Sequence, residues 1–84
     1  MNKKQRQTLE RILEQPARSD IPWSDIEKLF RVLGADISEG RGSRVRVALE
    51  GVRAVFHRPH PERVVNQFTI RSVRRFLKEA GVKR

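Results

Sequence analysis

The chain has 84 residues, with 19 lysines and arginines against 10 acidic residues, a formal net charge of +9 and an isoelectric point near 11.5. That length suits one domain around a single small core, residues 1–84 together, and the charge calls for a polyanionic partner, a nucleic acid or an anionic membrane surface. The lack of cysteine excludes a disulfide framework and any thiolate metal site, and suits a reducing compartment. No apolar run approaches the roughly 20 residues of a spanning helix, and no N-terminal apolar segment reads as a secretory signal. The expectation is therefore a soluble, cytoplasmic protein that does not engage a membrane.

In chain order, Lys3–Gln15 reads as a helix. Leu9, Ile12 and Leu13 sit at i, i+3 and i+4, a narrow stripe, and Pro16 ends the hydrogen bonding. Because the segment is so charged, it is expected at the periphery, with Lys3, Lys4, Arg6 and Arg11 in solvent. Ala17–Pro22 is a short linker. Ser24 followed by Glu27 is a capping-box pattern, and Ile26, Leu29, Phe30 and Leu33 give the next helix its buried stripe before Gly34 stops it. Trp23, just before that cap, is expected against the edge of the core rather than stacked on a nucleotide. Ala35–Glu39 follows as a short strand with Ile37 inward.

Arg44 to His57 alternates strictly. Val45, Val47, Leu49, Val52, Ala54 and Phe56 occupy every second position on either side of Glu50-Gly51, the period of a half-buried antiparallel hairpin. A two-residue loop at Glu50-Gly51 places Leu49 opposite Val52, Val47 opposite Ala54 and Val45 opposite Phe56. The same register puts Arg44 opposite His57, Arg46 opposite Val55 and Ala48 opposite Arg53. One face is then apolar, and the other carries Arg44, Arg46, Arg53 and His57. Like charges on one open face cost stability unless an anion lies between them. Gly40-Arg41-Gly42-Ser43, the turn leading into the hairpin, sets backbone donors beside a positive charge and is a candidate phosphate seat.

Beyond the hairpin, His57-Arg58-Pro59-His60-Pro61 is a stiff loop. A last helix is expected over Thr69–Ala80, with Ile70, Val73, Phe76, Leu77 and Ala80 inward and Arg71, Arg74, Arg75 and Lys78 on the other faces. The fold class is α+β: a three-stranded antiparallel sheet packed on helices, in the order α-β-β-β-α with an extra N-terminal helix over residues 3–15. That order is the one found in the double-stranded-RNA-binding domain.

The helix SDIEKLFRVLGA, the Gly42-Ser43 pair before the second strand and the ending SVRRFLKEAGV resemble the HicA toxins, small basic mRNA interferases of bacterial type II toxin–antitoxin systems. The resemblance covers Trp23–Val82 and leaves the N-terminal helix as an addition. It implies a double-stranded-RNA-binding-like fold, metal-independent endoribonuclease activity on mRNA with no cofactor, and neutralisation by a HicB-type antitoxin. One departure stands out: where the family's Gly-Ser pair is usually followed by a catalytic histidine, this chain has Arg44.

Metal-free RNA cleavage needs a base for the ribose 2′-OH, an acid for the leaving 5′-oxygen and a cation for the charged intermediate. Histidine suits the first two tasks at neutral pH. The expected catalytic set is His57 as base, His60 as acid and Arg44 as phosphate clamp, shared with Arg46. Arg41, Gly42, Ser43, Arg46, Arg53, Arg58, Arg74 and Arg75 are expected to bind RNA. A metal site from His57, His60 and Glu62 would have few ligands, all on a loop, so none is expected. The principal alternative is a degenerate toxin that binds RNA and its antitoxin without cutting. A DNA-binding protein ranks below both, because no helix-turn-helix pair is present.

Overall fold

The hairpin forms as its period dictates. In the computed structural model, which describes residues 1–59 and 63–83, β1 (Asp36–Glu39), β2 (Arg44–Leu49) and β3 (Val52–His57) make one antiparallel sheet in that order. Arg44 pairs with His57, Val45 with Phe56, Arg46 with Val55, Val47 with Ala54, Ala48 with Arg53 and Leu49 with Val52, the register expected. Glu50 and Gly51 have φ of 50° and 79°. Two consecutive left-handed residues make a turn whose twist matches that of the strands, and glycine supplies the second at no steric cost. Slipping the register by one residue would expose Val45, Val47 and Phe56, all now buried, at about 1.5–3 kcal/mol for each large side chain.

Among the described residues three helices accompany the sheet: α1 (Lys3–Leu13), α2 (Trp23–Val32) and α3 (Gln67–Glu79). The arrangement is α-β-β-β-α preceded by one helix, as expected. α2 packs beside β1 and α3 beside β3, while α1 packs on α2 and α3 rather than on the sheet. Between helices and sheet lies an aromatic cluster. Phe30 of α2 stacks on Phe56 of β3 with ring centroids 5.8 Å apart, and Phe76 of α3 meets both rings edge-on. Trp23 completes the cluster and is fully buried. It belongs to the core itself rather than to its edge.

Several boundaries differ from those expected, each for a physical reason. α1 ends at Leu13 rather than Gln15, since Pro16 disfavours helical backbone at the residue before it. Its start has a capping box from Asn2 and Gln5, and it buries Thr8, Leu9 and Ile12, so it contributes to the core. The capping box at Ser24 does not form. α2 begins at Trp23 behind Pro22, with no side-chain cap, because its entrance is held by backbone. Trp23 donates to the Arg63 carbonyl at 3.1 Å, and Val65 donates to Ile21 at 3.0 Å. α3 starts earlier than Thr69, at Gln67, where the Asn66 side chain accepts from the Thr69 amide at 2.8 Å. β1 starts at Asp36, one residue later than expected.

Candidate functional site

The face of the sheet turned away from the helices is a grid of side chains in cross-strand rows. β1 pairs with β2 so that Asp36 lies opposite Ala48 and Ser38 opposite Arg46. Joined to the β2–β3 register, this gives one row of Asp36, Ala48 and Arg53, a second of Ser38, Arg46 and Val55, and a third of Arg44 and His57. All these side chains are exposed except the half-buried Ala48. Among the described residues, Arg44, Arg46, Arg53 and Asp36 form no ion pair. Cations held side by side without a counter-ion leave a positive field that an incoming phosphate would neutralise.

At the third row the turn from β1 approaches closely. The Gly40 amide donates to the Arg44 carbonyl at 2.8 Å. A β-carbon on Gly40 would stand 3.1 Å from that of Arg44, so glycine keeps the space beside Arg44 clear. Arg41 is exposed, Gly42 has φ of 62°, and the Ser43 carbonyl accepts from the Arg58 amide at 2.7 Å. The Gly42 and Ser43 amides have no backbone acceptor among the described residues. The turn thus sets Arg41 and two available donors at the end of the grid that carries Arg44 and His57.

Two of the expected RNA-binding arginines are engaged elsewhere. Arg58 has the inward parity of Phe56, which turns it to the helix side of the sheet. There it donates to Glu39 and to Glu27, each at 2.7 Å. Its guanidinium is held protonated even more firmly than usual, first by the bond to Glu39 and then by that to Glu27. Glu27, expected to cap α2, is occupied by this pairing instead. Arg74 is only 8% exposed. It donates through Nε to the Ile12 carbonyl at 2.9 Å and through Nη2 to the Glu14 carbonyl, closing the end of α1. Both arginines therefore hold the fold together and leave the cationic set. Arg75 is exposed and pairs with Glu79 at 3.3 Å, in a shallow groove that α3 shares with β3. His60 and Glu62 lie outside the described residues.

Asp36 and Ser38 were missed among the charges. Alternation outward from the inward Ile37 marks both, had the register been carried onto β1. They line a shallow depression of about 480 Å³ with Arg46, Ala48, Arg53 and Val55.

The family model described as "HicA toxin of bacterial toxin-antitoxin" matches residues 23–82, from the first residue of α2 to just beyond α3. Neither a curated protein nor a solved structure matches the chain.

Proposed function

The chain belongs to the HicA family, toxins of bacterial toxin–antitoxin systems, and from that premise we propose that it binds mRNA on the open sheet face and cleaves it without a metal ion. The observation that carries this reading is the pairing of His57 with Arg44 across β2 and β3. Arg44 occupies the position where the resemblance implies a histidine, and its cross-strand neighbour is a histidine. The imidazole is one side chain away from the implied place, on the same face and likewise exposed.

In the proposed reaction His57 takes the proton of a ribose 2′-OH, whose oxygen forms a bond to the adjacent phosphorus. The bond from phosphorus to the 5′-oxygen breaks, and that oxygen takes a proton from an acid, a role assigned to His60. Arg44 and Arg46 neutralise the phosphate as its charge grows. Arg41 and the Gly42-Ser43 amides hold the flanking backbone, Arg53 contacts the RNA farther along the face, and Arg75 lies at the edge. A HicB-type antitoxin, acidic where it meets this face, would silence the toxin in the cytoplasm by covering the same arginines. Arg44 itself supports a second reading, a toxin that binds RNA and antitoxin but no longer cuts.

Cleavage of a labelled mRNA in excess chelator tests the proposal. Wild type cuts, and His57→Ala stops cutting while RNA affinity stays within about twofold, because the arginines that hold the phosphates are untouched. Arg44→Ala weakens both binding and cutting. An inactive wild type together with an active Arg44→His establishes the non-cutting reading instead.

A further inference from the structure

The row most distant from His57 combines groups that phosphate binding does not require. Asp36 and Arg53 flank Ala48, so their Cα atoms stand about 10 Å apart across two strand spacings. Ala48 is too small to fill the interval, and Val55, 57% exposed, continues the apolar floor beside it. A carboxylate on a phosphate-binding face opposes the ligand's own charge. Asp36 is nevertheless exposed here and forms no ion pair with any described residue. An ionised carboxylate only accepts hydrogen bonds; RNA donates them from the ribose 2′-OH and from base N–H groups, and only a base sets two donors side by side.

We propose that this depression reads a guanine base in single-stranded RNA, with Asp36 accepting from the base and Arg53 donating to it. Guanine presents two adjacent donors, N1–H and the N2 amine, which match the two carboxylate oxygens. It also presents O6 and N7, the acceptors that a guanidinium recognises in pairs. Ala48 and Val55 supply the surface on which the ring lies. Bases are open to such reading only when splayed from a single strand, since an A-form duplex hides them. The row lies two pleats, about 14 Å, from Arg44 and His57, so the guanine read is a flanking nucleotide rather than the one cleaved. The inference rests on the proposed RNA binding and adds a base preference to it.

Direct binding tests it with fluorescent 2′-O-methyl oligomers, which cannot be cleaved: all-uridine, all-uridine with one guanine, the same with inosine, and a duplex of the guanine strand. Wild type should bind the guanine oligomer about tenfold more tightly than all-uridine, and inosine, which lacks the N2 amine, should lose most of that gain. Asp36→Ala and the isosteric Asp36→Asn should bring the guanine-to-uridine ratio close to one. Equal affinity of wild type for all single strands overturns the base reading and leaves RNA binding standing, as does a preference that survives in both variants. A duplex that binds as tightly as its single strand also overturns it. If Asp36 only guards the sheet edge against strand pairing, no base preference appears. Failure to bind any oligomer removes the RNA reading itself.

Discussion

The two sides of the sheet treat the same residue type in opposite ways. On the helix side, Arg58 meets two carboxylates and Arg74 two backbone carbonyls. On the open side, Arg44, Arg46 and Arg53 stand among each other with no ion-pair partner in the described residues. Carboxylates are not scarce, since the chain has 10 acidic residues, so their distribution decides the matter. Glu27 and Glu39 both pair with one inward arginine, and the outward three have no carboxylate partner among the described residues. A basic composition alone would not distinguish these roles; strand parity does.

The largest expected break of this contrast is at Arg74. Arg74→Ala removes the donors that hold the end of α1 and leaves two carbonyls poorly satisfied, and should cost about 3 kcal/mol in urea unfolding. Arg74→Lys should recover less than half, because one ammonium cannot reproduce the forked geometry. A loss below about 0.5 kcal/mol would show that the guanidinium does not anchor α1. On the open side the balance reverses. Arg44→Ala with Arg46→Ala should change stability by less than about 0.5 kcal/mol, while lowering the slope of log RNA affinity against log salt by about 1.4, near 0.7 for each lost phosphate contact. An unchanged slope would place the RNA elsewhere.

Arg58 falls between these extremes. Its side chain is 24% exposed, and its partners Glu27 and Glu39 are 15% and 66% exposed. The Glu39 arm is screened and contributes little, so Arg58→Ala should cost about 1–2 kcal/mol, mostly through Glu27. Restoring the loss by also changing Glu27 to Gln in a double-mutant cycle would verify that attribution. The smallest effect belongs to the exposed pair between Arg18 and Asp20, outside both faces. Hydrogen bonding to Arg18 holds the Asp20 carboxyl below its usual range. Its contribution is complete above the unfolded value near 3.9 and is lost as pH falls through the lower folded value. Arg18→Ala should therefore slightly shallow the fall of Tm below about pH 4, and superimposable curves would show that the pair adds nothing.

How much of this was legible depended on which periodicity governed each residue. The hairpin register, the turn at Glu50-Gly51 and the outward set of Arg44, Arg46, Arg53 and His57 follow from a period of two, which leaves no intermediate positions. The same rule, carried one residue past His57, turns Arg58 inward. Helical periodicity is less exclusive. Arg74 lies four residues after Ile70 and three before Leu77, squarely within the α3 stripe, yet its charge argued for solvent. What satisfies it, the carbonyls of Ile12 and Glu14, comes from 62 and 60 residues away and leaves no local signal. The same is true of α2: a local box was written at Ser24, but Glu27 went to a distant arginine and the backbone of Arg63 took the helix entrance. Asp36 was as legible as the arginines, since the parity that turns Ile37 inward turns it outward, but a search for cations passes over a carboxylate.

Strict alternation also makes the sheet a ledger with two independent columns. Inward letters answer to close packing, where a single methylene is felt, and outward letters answer only to whatever docks on them. Because adjacent residues in one strand fall under different selection, variants of this toxin could exchange Asp36, Arg46, Arg53 or Val55, and with them the RNA preference proposed above, without repacking Val45, Val47 or Phe56. The antitoxin proposed to cover the same face would then have to change with it, so that each toxin and its own antitoxin diverge as a matched pair on an unaltered frame.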